Sequence, residues 1–137
     1  MRMRRMVAEG VGYYHVISRI TGQQFLVGDE EKDVLMRLMF NVAVFSGVEV
    51  LTFALMDNHF HILLKVPLAH EVDDAELVGK MRVLYGDEKT NRILGEWEAW
   101  DRRGLSFKVD DAKAALRRRM FDLSQFCKTL KETYSMS

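Results

Sequence analysis

Residues 49–66 read Glu-Val-Leu-Thr-Phe-Ala-Leu-Met-Asp-Asn-His-Phe-His-Ile-Leu-Leu-Lys-Val, and this stretch decides the fold. Two runs of strand-forming residues, Glu49–Met56 and His59–Val66, are separated only by Asp57-Asn58. That dipeptide tolerates positive φ, so the spacing predicts a tight antiparallel hairpin. Side chains alternate along a strand, so His59 and His61 leave one face about 7 Å apart at Cα. Phe60, Ile62 and Leu64 leave the opposite face, which is then the one that packs against helices. Imidazoles placed side by side suit a shared divalent cation, because charging either ring with a proton repels the other. The competing reading is a solvent-facing pair with no ligand, since metal sites normally need further donors. Imidazole alone favours zinc, copper or nickel; phosphate oxygens in the remaining positions would bring in magnesium or manganese.

Working outward, residues 13–20 (YYHVISRI) mix aromatic and β-branched types and predict a first strand. TGQQFLVG forms a loop, and Asp29 caps a helix to about Phe45 whose apolar residues Val34, Leu35, Leu38, Met39 and Val42 keep helical spacing. Ser46-Gly47 ends it, and Pro67 marks a break after the hairpin. Asp73 with Glu76 resembles a capping box for a helix that Gly86 stops after Tyr85. A further helix runs from Asp87 to about Trp100, and a long one from Asp110 or Asp111 to about Thr133. The order strand, helix, strand, strand, helices predicts an α+β domain, a ferredoxin-like split β-α-β with an antiparallel sheet. Residues 12–66 would be its core, 71–104 inserted helices and 110–134 a long helix. A fourth strand is expected after the last helix, and no segment remains to supply it.

Composition narrows the function classes. A chain of 137 residues suits one domain, and 48% apolar content supports a buried core. Lys+Arg and Asp+Glu number 20 each, which excludes a uniformly basic nucleic-acid binder and leaves only local patches. Arg2, Arg4 and Arg5 form a basic arm, and Arg117, Arg118 and Arg119 a second cluster, for which a solvated helix surface is the alternative. Arg19 and Lys65 share strand faces with His15 and His61 respectively and are candidates to meet a phosphate; His15 could face the same region, with a structural histidine as the leading reading. His70 falls in an exposed loop, and Trp97 and Trp100 share one helix side, where they pack. No apolar run is long enough for a membrane span. The one cysteine, Cys127, reads as a small buried hydrophobe in a protein of the reducing cytoplasm.

YHVISRITGQQFL followed by MDNHFHILLKVP resembles the REP-associated tyrosine transposases, within the single-tyrosine HUH endonucleases of the IS200-like superfamily. The His-hydrophobic-His signature is here His59-Phe60-His61, preceded by Asn58 as in the family, while Asp57 stands where proline is usual. VDDAELVGKMRVLYG and RMFDLSQFCKTLKETYSMS also look like stretches of larger members, so the resemblance runs from about Tyr13 to the last residue.

The resemblance implies a bacterial, nucleoid-associated DNA transposase that binds hairpin-flanked single-stranded DNA. His59 and His61 would hold Mg2+ or Mn2+, and a tyrosine would cleave and rejoin the strand through a 5′-phosphotyrosine. Arg4, Arg5, Arg19, Lys65, Arg117 and Arg118 are the expected DNA contacts. The family's nucleophile lies on a helix beyond the segment resembling Asp122–Ser137, so the domain is expected to lack its last strand and tyrosine helix. Tyr134 is the remaining candidate, at a position matching a packing aromatic. The alternatives are a DNA-binding module that has lost cleavage, and an unrelated ferredoxin-like metal- or small-molecule-binding domain. A homodimer formed through an unpaired sheet edge also stays open.

Overall fold

A computed structural model describes residues 2–8, 11–19, 29–56 and 59–135, and the side chains of 12–17, 29–56 and 59–134 among them. The expected loop at 21–28 and the turn residues Asp57 and Asn58 lie outside the described residues. The elements are β1 (Arg2–Ala8), β2 (Val11–Arg19), α1 (Asp29–Ser46), β3 (Glu49–Leu55), β4 (His59–Val66), α2 (Asp74–Tyr85), α3 (Asp87–Arg102), α4 (Ser106–Arg117) and α5 (Leu123–Ser135). The strands form an antiparallel sheet in the order β1-β2-β4-β3, so the α+β class with a ferredoxin-like sheet is present. Across the expected turn, Met56 N–H donates to the His59 carbonyl at 2.9 Å, which closes the β3–β4 hairpin.

Two expectations are corrected. Arg2, Arg4 and Arg5 belong to an ordered strand, not a loose arm: β1 pairs with β2 in a register that sets Arg2 opposite Ile17 and Arg4 opposite His15. β1 thereby forms an edge of the sheet, beside β2. The long helix expected over 110–134 is two helices, broken between Arg117 and Leu123. Phe121 takes a positive φ of 56° there, a conformation that costs a non-glycine residue roughly 1–2 kcal/mol. Tertiary contacts hold it: its N–H donates to the Ser46 carbonyl at 2.7 Å, and its ring lies against Gly47. The chain then restarts with Asp122, whose carboxylate accepts from Gln125 N–H at 2.9 Å.

α1 is the spine of the molecule. Leu35, Met39, Val42 and Ala43 close one core against Val16, Phe60, Ile62 and Leu64 of the sheet, completed by Phe126 and Leu130 of α5. Phe45, at the end of α1, starts a second core with Leu77 and Met81 of α2, Trp97 of α3, Val109 of α4 and Met120. α1 carries no basic residue in its last turn. Lys80 of α2 takes that part, donating to the Val44 carbonyl at 2.8 Å, where a cation meets the negative end of the helix dipole. Burial lowers its ammonium pKa, with Glu76 acting the other way. Asp73 caps α2 as expected, accepting from Glu76 N–H at 2.8 Å. The Glu76 carboxylate turns instead to His70, 2.9 Å away.

Two outcomes follow from this packing. Gly47 has φ +72°, and a Cβ there would meet the Phe121 ring at 2.5 Å, so Gly47→Ala should lower the free energy of unfolding in urea by about 1–3 kcal/mol. An unchanged midpoint would show that the α1–Phe121 contact is slack. Burial pushes the Cys127 thiol up from its ordinary 9.0 to about 11. The unfolded chain therefore releases this proton first, and the contribution of Cys127 to stability is full below pH 9.0 and declines as pH rises toward about 11. Iodoacetamide should alkylate Cys127 far more slowly in the native protein than in urea; equal rates would contradict the burial.

Candidate functional site

β4 positions the site. Its burial alternates residue by residue: Phe60, Ile62, Leu64 and Val66 are buried, while His59, His61, Leu63 and Lys65 are half-exposed. The buried set faces α1 and α5, so the histidines stand on the other face of the sheet. On that face every odd-numbered residue described in β2 and β4 is only half-buried. The face is therefore partly exposed, and its described residues pack into neither hydrophobic core.

His59 and His61 come together as the spacing predicts, with ring centroids 5.1 Å apart and planes at 70°. A third imidazole joins them. His15 of β2 lies within hydrogen-bond distance of His61, Nε2 to Nδ1, at 3.0 Å, and the two rings meet edge to edge, with centroids 5.2 Å apart. His15 is opposite Leu63 in the ladder, and His61 is opposite Ile17; the two histidines are thus diagonal neighbours on one face. Sequence alone lets His15 face the same region but favours a structural part, because its contact depends on a register between strands 46 residues apart. The β2–β4 pairing was the one signal that would have found it.

The His61 contact uses Nδ1 and leaves Nε2 as the nitrogen His15 does not engage. Two imidazoles this close are the residues that could hold a divalent ion, with ligand oxygens as the further donors. Among the described residues no group of three or more His, Cys, Asp or Glu is arranged to hold a metal.

The other expected site residues are distributed differently. Lys65 shares the face but lies four residues along β4 from His61, about 13 Å by strand rise, and pairs with Glu49 at 3.6 Å. Arg19 is opposite His59 in the ladder; its side chain, like those of Arg4 and Arg5, lies outside the description. The arginine triplet divides over three directions. Arg117 donates to the Val72 carbonyl and to Asp74, each at 2.8 Å, and holds the Asp74 carboxyl below its usual pKa with help from Lys113. Arg118 is exposed. Arg119 turns inward to the Tyr85 hydroxyl at 2.7 Å and over the Phe45 ring. Arg117 and Asp74 line a cavity with His70 and Phe121, at the end of β4 away from His59 and on the helix side. The triplet and the histidine pair do not form one surface.

No tyrosine reaches the pair. Tyr134 packs against the core that contains Phe60 and Ile62, so the sheet separates it from the histidines. Tyr14 packs on that same side, and Tyr85 belongs to the second core. Tyr13 shares the open face but is opposite Lys65, whereas His61 is opposite Ile17, which again leaves about 13 Å along the sheet. Trp97 is buried in the second core and Trp100 packs beside it, as their spacing predicts. Among the described residues no helix is long and apolar enough to cross a membrane.

Compared with known proteins, the chain matches the family model described as transposase IS200 like over residues 10–112. No curated protein and no solved structure matches it significantly. The matched span takes in β2, α1, the β3–β4 hairpin with both histidines, and the helices as far as most of α4. Open sheet face, paired imidazoles and family match converge: this chain belongs to the IS200-like transposase family.

Proposed function

We propose that the open sheet face around His59 and His61 receives single-stranded DNA beside a hairpin, in the manner of the REP-associated tyrosine transposases. The pair then holds Mg2+ or Mn2+ against one phosphate. Family membership supplies the DNA substrate class. The observation that carries the reading is the pair itself, projecting from an uncovered face and supported by a buried apolar row behind it. When bound, the ion polarises the phosphate and stabilises charge on its oxygens. His59 and His61 contribute two neutral nitrogens; phosphate and water supply oxygens, the donors that magnesium and manganese prefer. His59 begins β4 directly after the turn, at a sheet end where a strand can approach without crossing the helices.

Cleavage in this family chemistry needs a tyrosine hydroxyl in line with the phosphorus. Attack forms the tyrosine O–P bond and releases a 3′-hydroxyl, leaving a 5′-phosphotyrosine that a second strand can resolve. None of Tyr13, Tyr14, Tyr85 and Tyr134 lies at the pair. The chain described is therefore proposed to bind DNA and metal without cutting. Arg4 and Arg19, whose backbones flank the histidine rows, are proposed as phosphate contacts that give affinity without sequence preference. The exposed Arg118 and the engaged Arg117 belong to the other side of the molecule and are not assigned to this strand.

Fluorescence anisotropy with a labelled hairpin bearing a single-stranded flank tests this at low salt. Binding should exceed that of a blunt duplex and strengthen with Mn2+. The double substitution His59→Ala, His61→Ala should weaken Mn2+-dependent affinity by at least about tenfold, on the order of 1.4 kcal/mol. No protein–DNA adduct should survive denaturing electrophoresis. Affinity indifferent to both the ion and the double substitution would overturn the site, and a covalent adduct would overturn the placement of the tyrosines.

A further inference from the structure

We propose that His15 is a positioning residue for His61: its Nε2 accepts a hydrogen bond from His61 Nδ1–H and fixes the ring so that the bare His61 Nε2 faces the cation site. The inference rests on the reading of His61 as a ligand, and it concerns what makes that histidine competent.

A neutral imidazole has one N–H donor and one bare nitrogen. A 3.0 Å contact between two such rings requires one to donate and the other to accept. Were His15 the donor, the His61 proton would sit on Nε2 and block coordination there. Only the opposite sense, with His61 Nδ1 donating, leaves a lone pair on Nε2. An isolated imidazole side chain prefers its proton on Nε2, so the neighbour must reverse that preference. A ligating histidine commonly donates its second N–H to a carboxylate or carbonyl; here an imidazole on the adjacent strand takes that place.

The fold makes the contact durable. His15 and His61 lie on one face as diagonal neighbours of the β2–β4 ladder, a separation that ring side chains can span. Val16, the residue after His15, and Ile62, the residue after His61, are both buried in the core against α1. Two anchored strands thus hold the rings in register, with planes 28° apart. His15 is not counted as a third ligand, because its Nε2 is directed at His61 and the described residues hold no set of three metal donors.

The test uses the full chain and two readouts. Long-range nitrogen–proton correlation spectra of the metal-free protein at about pH 8, above the ordinary imidazole pKa of about 6.5, report which ring nitrogen of His61 carries the proton. Wild type should show His61 protonated at Nδ1, and His15→Phe should revert it to Nε2. Free Mn2+ measured by electron paramagnetic resonance then gives the affinity. His15→Phe should weaken it by roughly 10–100-fold, and His15→Gln, which restores an acceptor oxygen, should recover most of the loss. A wild-type His61 protonated at Nε2 overturns the proposal, and so does a His15→Gln protein as impaired as His15→Phe. Should wild type bind no Mn2+, the ligand reading fails while the metal-free spectrum still decides the tautomer. Should His15→Phe fail to fold, the wild-type spectrum and His15→Gln decide it.

Discussion

The alternation of burial along β4 is the constraint on which the rest depends. Phe60, Ile62, Leu64 and Val66 are drawn into the core by α1 and α5, and burying side chains of this size contributes roughly 1.5–3 kcal/mol each. A one-residue slip would expose that whole row and bury two imidazoles and a lysine in its place. The apolar row therefore sets the register, and the register sets the direction of His59 and His61. Chemistry on one face of the strand is fixed by hydrophobic packing on the other.

The helices add to this from a distance. α1 ties the sheet core to the second core built around Phe45, and Arg119 braces that second core, bonding Tyr85 and lying over Phe45. The basic residues that look most like a nucleic-acid patch in the sequence are thus largely engaged in joining α2, α4 and the α4–α5 link. Their ion pairs with the exposed Asp74 are solvent-screened and worth little individually. Residues that act on a phosphate are instead sought on the sheet, where the family match and the paired rings coincide.

Much of this arrangement could be read before any coordinates. The His-Phe-His-Ile start of β4, the Asp73 cap and the stop at Gly86 are local signals, and each acts where its residues lie. The break at residues 118–122 gave no such signal: Arg-Arg-Met-Phe-Asp contains neither glycine nor proline, and Phe121 leaves helical geometry because Ser46 and Gly47 hold it from another element. β1 was equally hidden, since Met-Arg-Met-Arg-Arg-Met does not alternate cleanly and becomes a strand by pairing with β2. The His15–His61 contact joins positions 46 apart and exists only through the ladder. Local periodicity located the ligand pair, whereas partners supplied by tertiary pairing stayed out of reach.

The central claim is that two imidazoles on the open face of this sheet share one cation beside a DNA phosphate. The most direct measurement is an anomalous difference map from crystals grown with hairpin DNA and saturating Mn2+. The account predicts a single strong peak within coordination distance of His59 and of His61 Nε2, with a phosphate oxygen completing the shell. Rings turned apart with the ion bound elsewhere, or no ion at the sheet face, would contradict it.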